Sequence, residues 1–262
     1  MKSANLLVGL VLSAGALVAG DFTEKVTWET LPSFCEANVL EVKKPVRGIM
    51  VFHHGLGHVA FRGDFQPGFY KEHSEKGIVV IHPLCSPWGW GNDASVKLAD
   101  RLVDCVVEHF GLPKDVPVCS TGGSMGGLAA LVYARYSRKN VVAAVANCPV
   151  CDLPYHYVER RDLPRTLASA YADAPDFDAA LKAHSPLHLA AEMPDIDYFV
   201  AHSTADKSVN KERHSDRFVA EMRRVGRRIT YVASEGTGHC KLLPPVKLQF
   251  DAAIMAAFFQ DK

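Results

Sequence analysis

An excess of either charge is what this chain most plainly lacks. Over 262 residues, 29 Lys and Arg are balanced by 29 Asp and Glu. No cluster of Lys and Arg is dense enough to track phosphates, which argues against a nucleic-acid surface, and Arg223-Arg-Val-Gly-Arg-Arg228 reads as a solvated helix end. Internal repeats and low-complexity linkers are missing as well, so repeat arrays and tethered multi-domain layouts drop out. An apolar run long enough to span a membrane is also wanting at the start. Leu6 to Ala19 follows Lys2 and gives way through Gly20 to Asp21. That run is too short for a span, and no cysteine follows it for lipid attachment. It reads as a signal peptide over residues 1–20, with a mature chain secreted or periplasmic and without a stable membrane anchor.

What remains is ordinary globular sequence, 48% hydrophobic in 28.6 kDa, enough for one domain with a large core. Its most informative stretch is Ser120-Thr-Gly-Gly-Ser-Met-Gly-Gly127. Gly122 and Gly126 flank Ser124 in a Gly-x-Ser-x-Gly turn. An apolar β-branched strand, Val116 to Thr121, enters it, and an Ala- and Leu-rich helix, Leu128 to Tyr136, leaves it. So sharp a turn brings neighbouring backbone close, and only glycine fits two positions either side of the serine.

A serine hydroxyl is a weak nucleophile at neutral pH and needs a base, and the base needs an orienting acid. Both are expected downstream, at successive strand ends. The strand Ile196 to His202 exits into Ser203-Thr-Ala-Asp-Lys-Ser-Val209, which offers Asp206 as the acid. The strand Arg228 to Ala233 exits into Ser234-Glu-Gly-Thr-Gly-His-Cys240, which offers His239 as the base. Backbone amides that stabilise an oxyanion are worth about 2.7–4 kcal/mol each. The Met125 amide is one expected donor. The Leu56 amide is the other, in the loop His54-Gly-Leu-Gly57 that follows the strand Gly48 to His53. His53 and His54 precede the nucleophile and are expected to fix this loop rather than act as base.

With these residues in place, the chain resembles an α/β-hydrolase. Its second half is similar to the catalytic domain of the prolyl-oligopeptidase (S9) branch and related esterases, through Ser185-Pro-Leu-His188, His202 to Val209 and Gly238-His239. The resemblance covers roughly residues 45 to 260. It implies a mostly parallel sheet flanked by helices, and a Ser-His-Asp triad acting through an acyl-enzyme, with no metal or organic cofactor. The chain departs from that branch in two ways. Residues 21 to 47 are too few for the propeller of full-length members, and the loop at His54 lacks the tyrosine that supplies an oxyanion hydroxyl there. Both favour a carboxylic ester hydrolase over a peptidase or acyl-aminoacyl hydrolase. The substrate is expected to be a small-molecule or carbohydrate-linked ester, or a short peptide. A silent fold used for binding is the remaining alternative.

Elsewhere the chain alternates strands and helices as a helix-covered parallel sheet requires. A leading hairpin is expected from Lys25 to Val42, with core strands at Gly48, Ile78, Val116, Val141, Ile196 and Arg228. Asn92 or Asp93 caps a helix running to Gly111, Ser208 opens another that ends at Gly226, and Pro245 to Phe259 forms the last. The irregular stretch 152–195 is too long for one connection and reads as a small helical cap lying over the serine. From it, Tyr155, His156, Tyr157, Arg160 and Arg161 are candidates for substrate contact. Trp88 and Trp90, in Trp88-Gly-Trp-Gly91, are candidates to wall a pocket or to plug the core. Seven cysteines leave at least one unpaired. Cys105 and Cys119 suit packed thiols, while Cys148-Pro-Val-Cys151 suits a structural disulfide or packed thiols beside the site better than redox or zinc chemistry.

Overall fold

The computed structural model describes residues 22–57 and 70–259. The expected signal peptide therefore lies outside the described residues. Seven strands form one sheet in the order β1-β3-β2-β4-β5-β6-β7. These are β1 (Cys35–Ala37), β2 (Gly48–His53), β3 (Ile78–Pro83), β4 (Val118–Gly123), β5 (Val141–Asn147), β6 (Asp197–Ser203) and β7 (Ile229–Ser234). All neighbours run parallel except β1, which pairs antiparallel with β3.

Strands in such a sheet are covered on both faces, and the side chains divide accordingly. Ile49, Val51, Val79, Ile81, Val118 and Val200 join one apolar cluster, while the intervening Met50, Ile78, Val80, Cys119 and Phe199 join a second. Helices α1 (Lys71–Glu75), α2 (Asp93–Phe110) and α3 (Met125–Tyr136) come between the early strands. The first cluster takes in α2, α3 and α8 (Arg217–Arg224), and α9 (Pro244–Ala256) covers the second. Asn92 caps α2, its side chain accepting the Ser95 amide at 3.0 Å, and Gly111 ends the helix at a φ of 61°. Between β5 and β6 lie α4 (Leu153–Glu159), α5 (Leu163–Ala170), α6 (Phe177–Ala183) and α7 (Pro186–Leu189), where the cap is expected. No described helix is long and apolar enough to cross a membrane.

Two expectations need correction. The hairpin from Lys25 to Val42 is not formed. Short 3-10 turns occupy Phe22–Lys25 and Leu31–Ser33, and only Cys35–Ala37 joins the sheet. The Thr30 hydroxyl donates to the Lys25 carbonyl at 2.6 Å and Pro32 brings no amide, so this stretch folds on itself. The helix expected from Ser208 begins at Glu212, with a π turn before α8. Residues 208 and 209 are held elsewhere, because their amides donate to Asp206.

Candidate active site

The elbow forms where the sequence places it. Ser124 sits between β4 and α3 at φ 60° and ψ −124°, a left-handed backbone that a non-glycine residue adopts at a cost of about 1–3 kcal/mol. Its amide donates to the Asn147 carbonyl at 2.9 Å, and its carbonyl accepts the Leu128 amide at 3.1 Å. The glycines are sterically required. A Cβ on Gly126 would collide with the His53 carbonyl oxygen, and one on Gly122 would lie 2.7 Å from the same atom. The elbow is thus wedged against the end of β2, and Met125 opens α3 with one of the first-turn amides that a helix leaves without an internal acceptor.

A cleft of about 500 Å³ opens at the carboxyl ends of the strands, where ligands bind in open parallel sheets. Ser124 and His239 both line it, and so do Leu56, Trp90, His156 and Arg160. His239 Nδ1 lies 2.7 Å from Asp206 Oδ2. Asp206 is fully buried as a side chain and firmly held. Its Oδ1 accepts the Ser208 and Val209 amides at 2.8 and 3.0 Å, and His202 Nε2 lies 3.3 Å from Oδ2. Burial alone would raise its pKa. The hydrogen bonds from His202, His239 and the two amides outweigh that and hold the carboxyl well below the usual carboxylate range. Asp206 is therefore held in its ionised form, and an ionised Oδ2 at 2.7 Å requires a proton on His239 Nδ1. The other ring nitrogen, Nε2, is left as a lone pair inside the cleft, 3.7 Å from Cys240 Sγ. The Ser124 hydroxyl makes no hydrogen bond to a described residue.

The acid and histidine loops are stitched together. The Thr204 amide donates to the Ser234 carbonyl at 3.0 Å, the Gly236 amide donates to Thr204 Oγ1 at 2.9 Å, and the Ser203 hydroxyl bonds the Thr237 carbonyl. A disulfide joins Cys148, just past β5, to Cys240, the residue after His239. Both cysteines have positive φ, 41° and 56°. Asn147 Nδ2 adds a bond to the Cys240 carbonyl at 2.9 Å. Cys151, the other half of the Cys148-Pro-Val-Cys151 pair, is a buried free thiol. Cys105 and Cys119 are buried free thiols too.

The remaining candidates separate by position. His53 and His54 anchor the end of β2 and the loop that follows it. His53 Nε2 lies 3.1 Å from Ser120 Oγ, and the ring nitrogens of His54 lie 2.9 and 3.2 Å from the Gly55 and Cys85 carbonyls. Trp90 lines the cleft while plugging the core, 1% exposed with its indole NH donating to Thr166 Oγ1 at 3.1 Å. Arg160 reaches the cleft, but its guanidinium is engaged by Asp162 at 2.6 and 3.1 Å. Trp88 and Tyr155 are not among the cleft-lining residues. Arg165 lies over the Trp88 ring, and Tyr155 packs on His214 beneath Arg213. Sequence reasoning missed His202 as the second brace on Asp206. Its spacing of four residues from the acid, at a strand end, was the available signal.

A family model described as the prolyl oligopeptidase family matches residues 101–262. The chain belongs to this family. As a family member it carries an S9-type serine hydrolase fold, shared at low identity with solved peptidases and esterases alike. A puromycin-hydrolyzing peptidase from Mycobacterium tuberculosis superposes with a TM-score of 0.67 at 19% identity, covering 84% of this chain and 35% of its own. An acylaminoacyl peptidase from Pyrococcus horikoshii gives 0.63 at 13% identity, covering 85% and 39%. Esterase 2 of Thermogutta terrifontis gives 0.58 at 20% identity, covering 83% and 86%. The chain thus spans little more than a third of the two peptidases. No curated protein sequence matches it significantly.

Proposed function

We propose that this family member is an exported serine acyl hydrolase whose preferred substrate is a carboxylic ester. Ser124 attacks the carbonyl, His239 Nε2 takes the hydroxyl proton and returns it to the leaving alcohol, and Asp206 orients the imidazole. The amides of Met125 and Leu56 receive the oxyanion, and water then releases the acyl-enzyme. The observation that carries the reading is the 2.7 Å bond from His239 to a buried, ionised Asp206, which leaves the Nε2 lone pair in the cleft that Ser124 shares. The bond between Ser124 and His239 closes when substrate seats, as is common for catalytic contacts that are long without ligand. Esters are favoured because an alkoxide leaves more readily than an amine, and because Leu56 offers the oxyanion an amide without a tyrosine hydroxyl beside it. Export accords with a disulfide, which persists in oxidising compartments.

Labelling with a fluorophosphonate, beside assays of p-nitrophenyl esters and aminoacyl amides, tests this. Wild-type protein is expected to label and to turn over esters faster, and Ser124→Ala to stay folded and unlabelled. Amide turnover above ester turnover would make the protein a peptidase. A folded wild-type chain that resists the label would point to a binding module.

A further inference from the structure

One residue of the cleft that Ser124 lines, His156, belongs to a second histidine–carboxylate pair, which the proposed triad does not use. His156 and Glu159, one turn apart on α4, meet at 2.5 Å between Nδ1 and Oε2, and His214 Nε2 lies 3.0 Å from the same oxygen. His156 is 2% exposed and His214 fully buried. Three such groups within 4.8 Å of one another look suited to a divalent cation. Their protons decide otherwise. His214 Nδ1 accepts the amides of Cys151 and Asp152 at 3.1 and 3.2 Å, so its proton is on Nε2, facing Glu159. Burial would raise the pKa of Glu159, but the hydrogen bonds from His156 and His214 win and hold it well below the carboxylate range. An ionised Oε2 in turn requires the proton of His156 on Nδ1. Both nitrogens that would ligate a metal are therefore protonated donors.

What this leaves open is His156 Nε2, a lone pair with no hydrogen-bond partner among the described residues, on a ring that forms part of the cleft wall. Behind it sits a carboxylate that accepts from His156, His214 and the Asn210 amide, and burial disfavours a second proton on His156. The nearby guanidinium of Arg160 is already engaged by Asp162. The negative charge of Glu159 thus reaches the cleft through the imidazole, and the best match for it is a compact cationic donor, a primary ammonium. The acyl part of a substrate stays in the cleft through both half-reactions, so it is where a fixed subsite contributes to each.

We propose that His156, backed by Glu159 and His214, is a subsite for the free α-ammonium of an aminoacyl ester or amide, and that it sets a preference for such substrates over N-acylated ones. The inference rests on the acyl-hydrolase reading, and a binding experiment separates the two. On Ser124→Ala protein, phenylalaninamide is expected to bind at least about tenfold more tightly than N-acetylphenylalaninamide, the order of one charge-assisted hydrogen bond. The ratio is expected to collapse towards one in His156→Phe. It should do likewise in Glu159→Gln, which keeps the side-chain shape and removes the charge, with thermal melts confirming that both variants fold. In the active enzyme, the ratio of kcat/KM for alanine ethyl ester over its N-acetyl form should fall by a similar factor in the same two variants. Equal affinities on Ser124→Ala protein, or a preference that survives both substitutions, overturns the subsite. A retained binding preference in a protein with no ester or amide turnover supports the subsite and counts against the hydrolase reading alone.

Discussion

Replacing Asp206 by asparagine alters one atom and is expected to cost nearly all of the activity. The surroundings dictate how the amide must sit. Oδ1 accepts two backbone amides, from Ser208 and Val209, so the carboxamide oxygen is forced to stay there and its NH2 is turned towards His239. That NH2 donates to Nδ1, where the wild-type carboxylate accepts from it at 2.7 Å. The imidazole must then carry its proton on Nε2, and it can no longer take one from Ser124. The fold is kept, because the oxygen still caps the 206–209 turn, while the tautomer is inverted. Comparable inversions in serine hydrolases lower kcat about 10⁴-fold, or about 5.4 kcal/mol of transition-state stabilisation. Steady-state hydrolysis of a p-nitrophenyl ester and the rate of fluorophosphonate labelling should both fall by that order, with the thermal melt shifted by a few degrees at most. A loss of less than about tenfold in a folded variant would refute Asp206 as the orienting acid.

Two further predictions concern the walls of the site. Gly126→Ala drives a methyl into the His53 carbonyl, backbone against backbone with no flexible side chain to yield, so about 2–3 kcal/mol of stability should go, lowering Tm by about 5–10 °C; an unchanged melt would mean the elbow is not wedged there. His53 is driven from 6.5 to about 3 by burial first and by the neighbouring His54 and His82 next. Its folded pKa lies below the unfolded value, so the unfolded chain takes up the extra proton. The stability this buried neutral ring affords is complete above about pH 6.5 and is lost as pH falls towards 3. Between pH 7 and 5 the linkage amounts to about 2 kcal/mol, a window in which Asp206 and Glu159, with depressed folded pKa values, stay ionised whether folded or unfolded. Urea titrations of wild type and His53→Gln should differ in pH slope by that amount, and identical slopes would show that His53 is not the group responsible.

The parts of the site legible in the sequence are those where local pattern and chemistry coincide. Ser124 announces itself because a strained backbone demands glycines at fixed offsets, and Asp206 and His239 because each lies in the exit loop of a strand, β6 buried and β7 at the sheet edge. β2 is legible to the residue, Gly48–His53, since a run buried on both faces has few other homes. What the sequence left open was decided by neighbours distant in the chain. Cys148 stands three residues from Cys151 yet bonds Cys240, 92 positions away, because β5 and the loop after β7 end at the same edge of the sheet. Trp88 and Tyr155 are close in sequence to Trp90 and His156 but are turned aside by Arg165 and Arg213. No periodicity encodes such choices. The segment 25–42 misled for the opposite reason, its threonines closing short local turns where alternation alone suggests strands.

The bridge from Cys148 to Cys240 ties the residue after His239 covalently to the edge of the sheet that carries Ser124. Asn147, the residue before Cys148, supplies the carbonyl that accepts the Ser124 amide, and the residue before Cys240 is His239. An excursion of the loop at His239 is thus limited by a leash one residue away. Protein ripened in a reducing cytosol would fold around the same strands with that leash untied, and His239 would lose its covalent tie to the edge that carries Ser124.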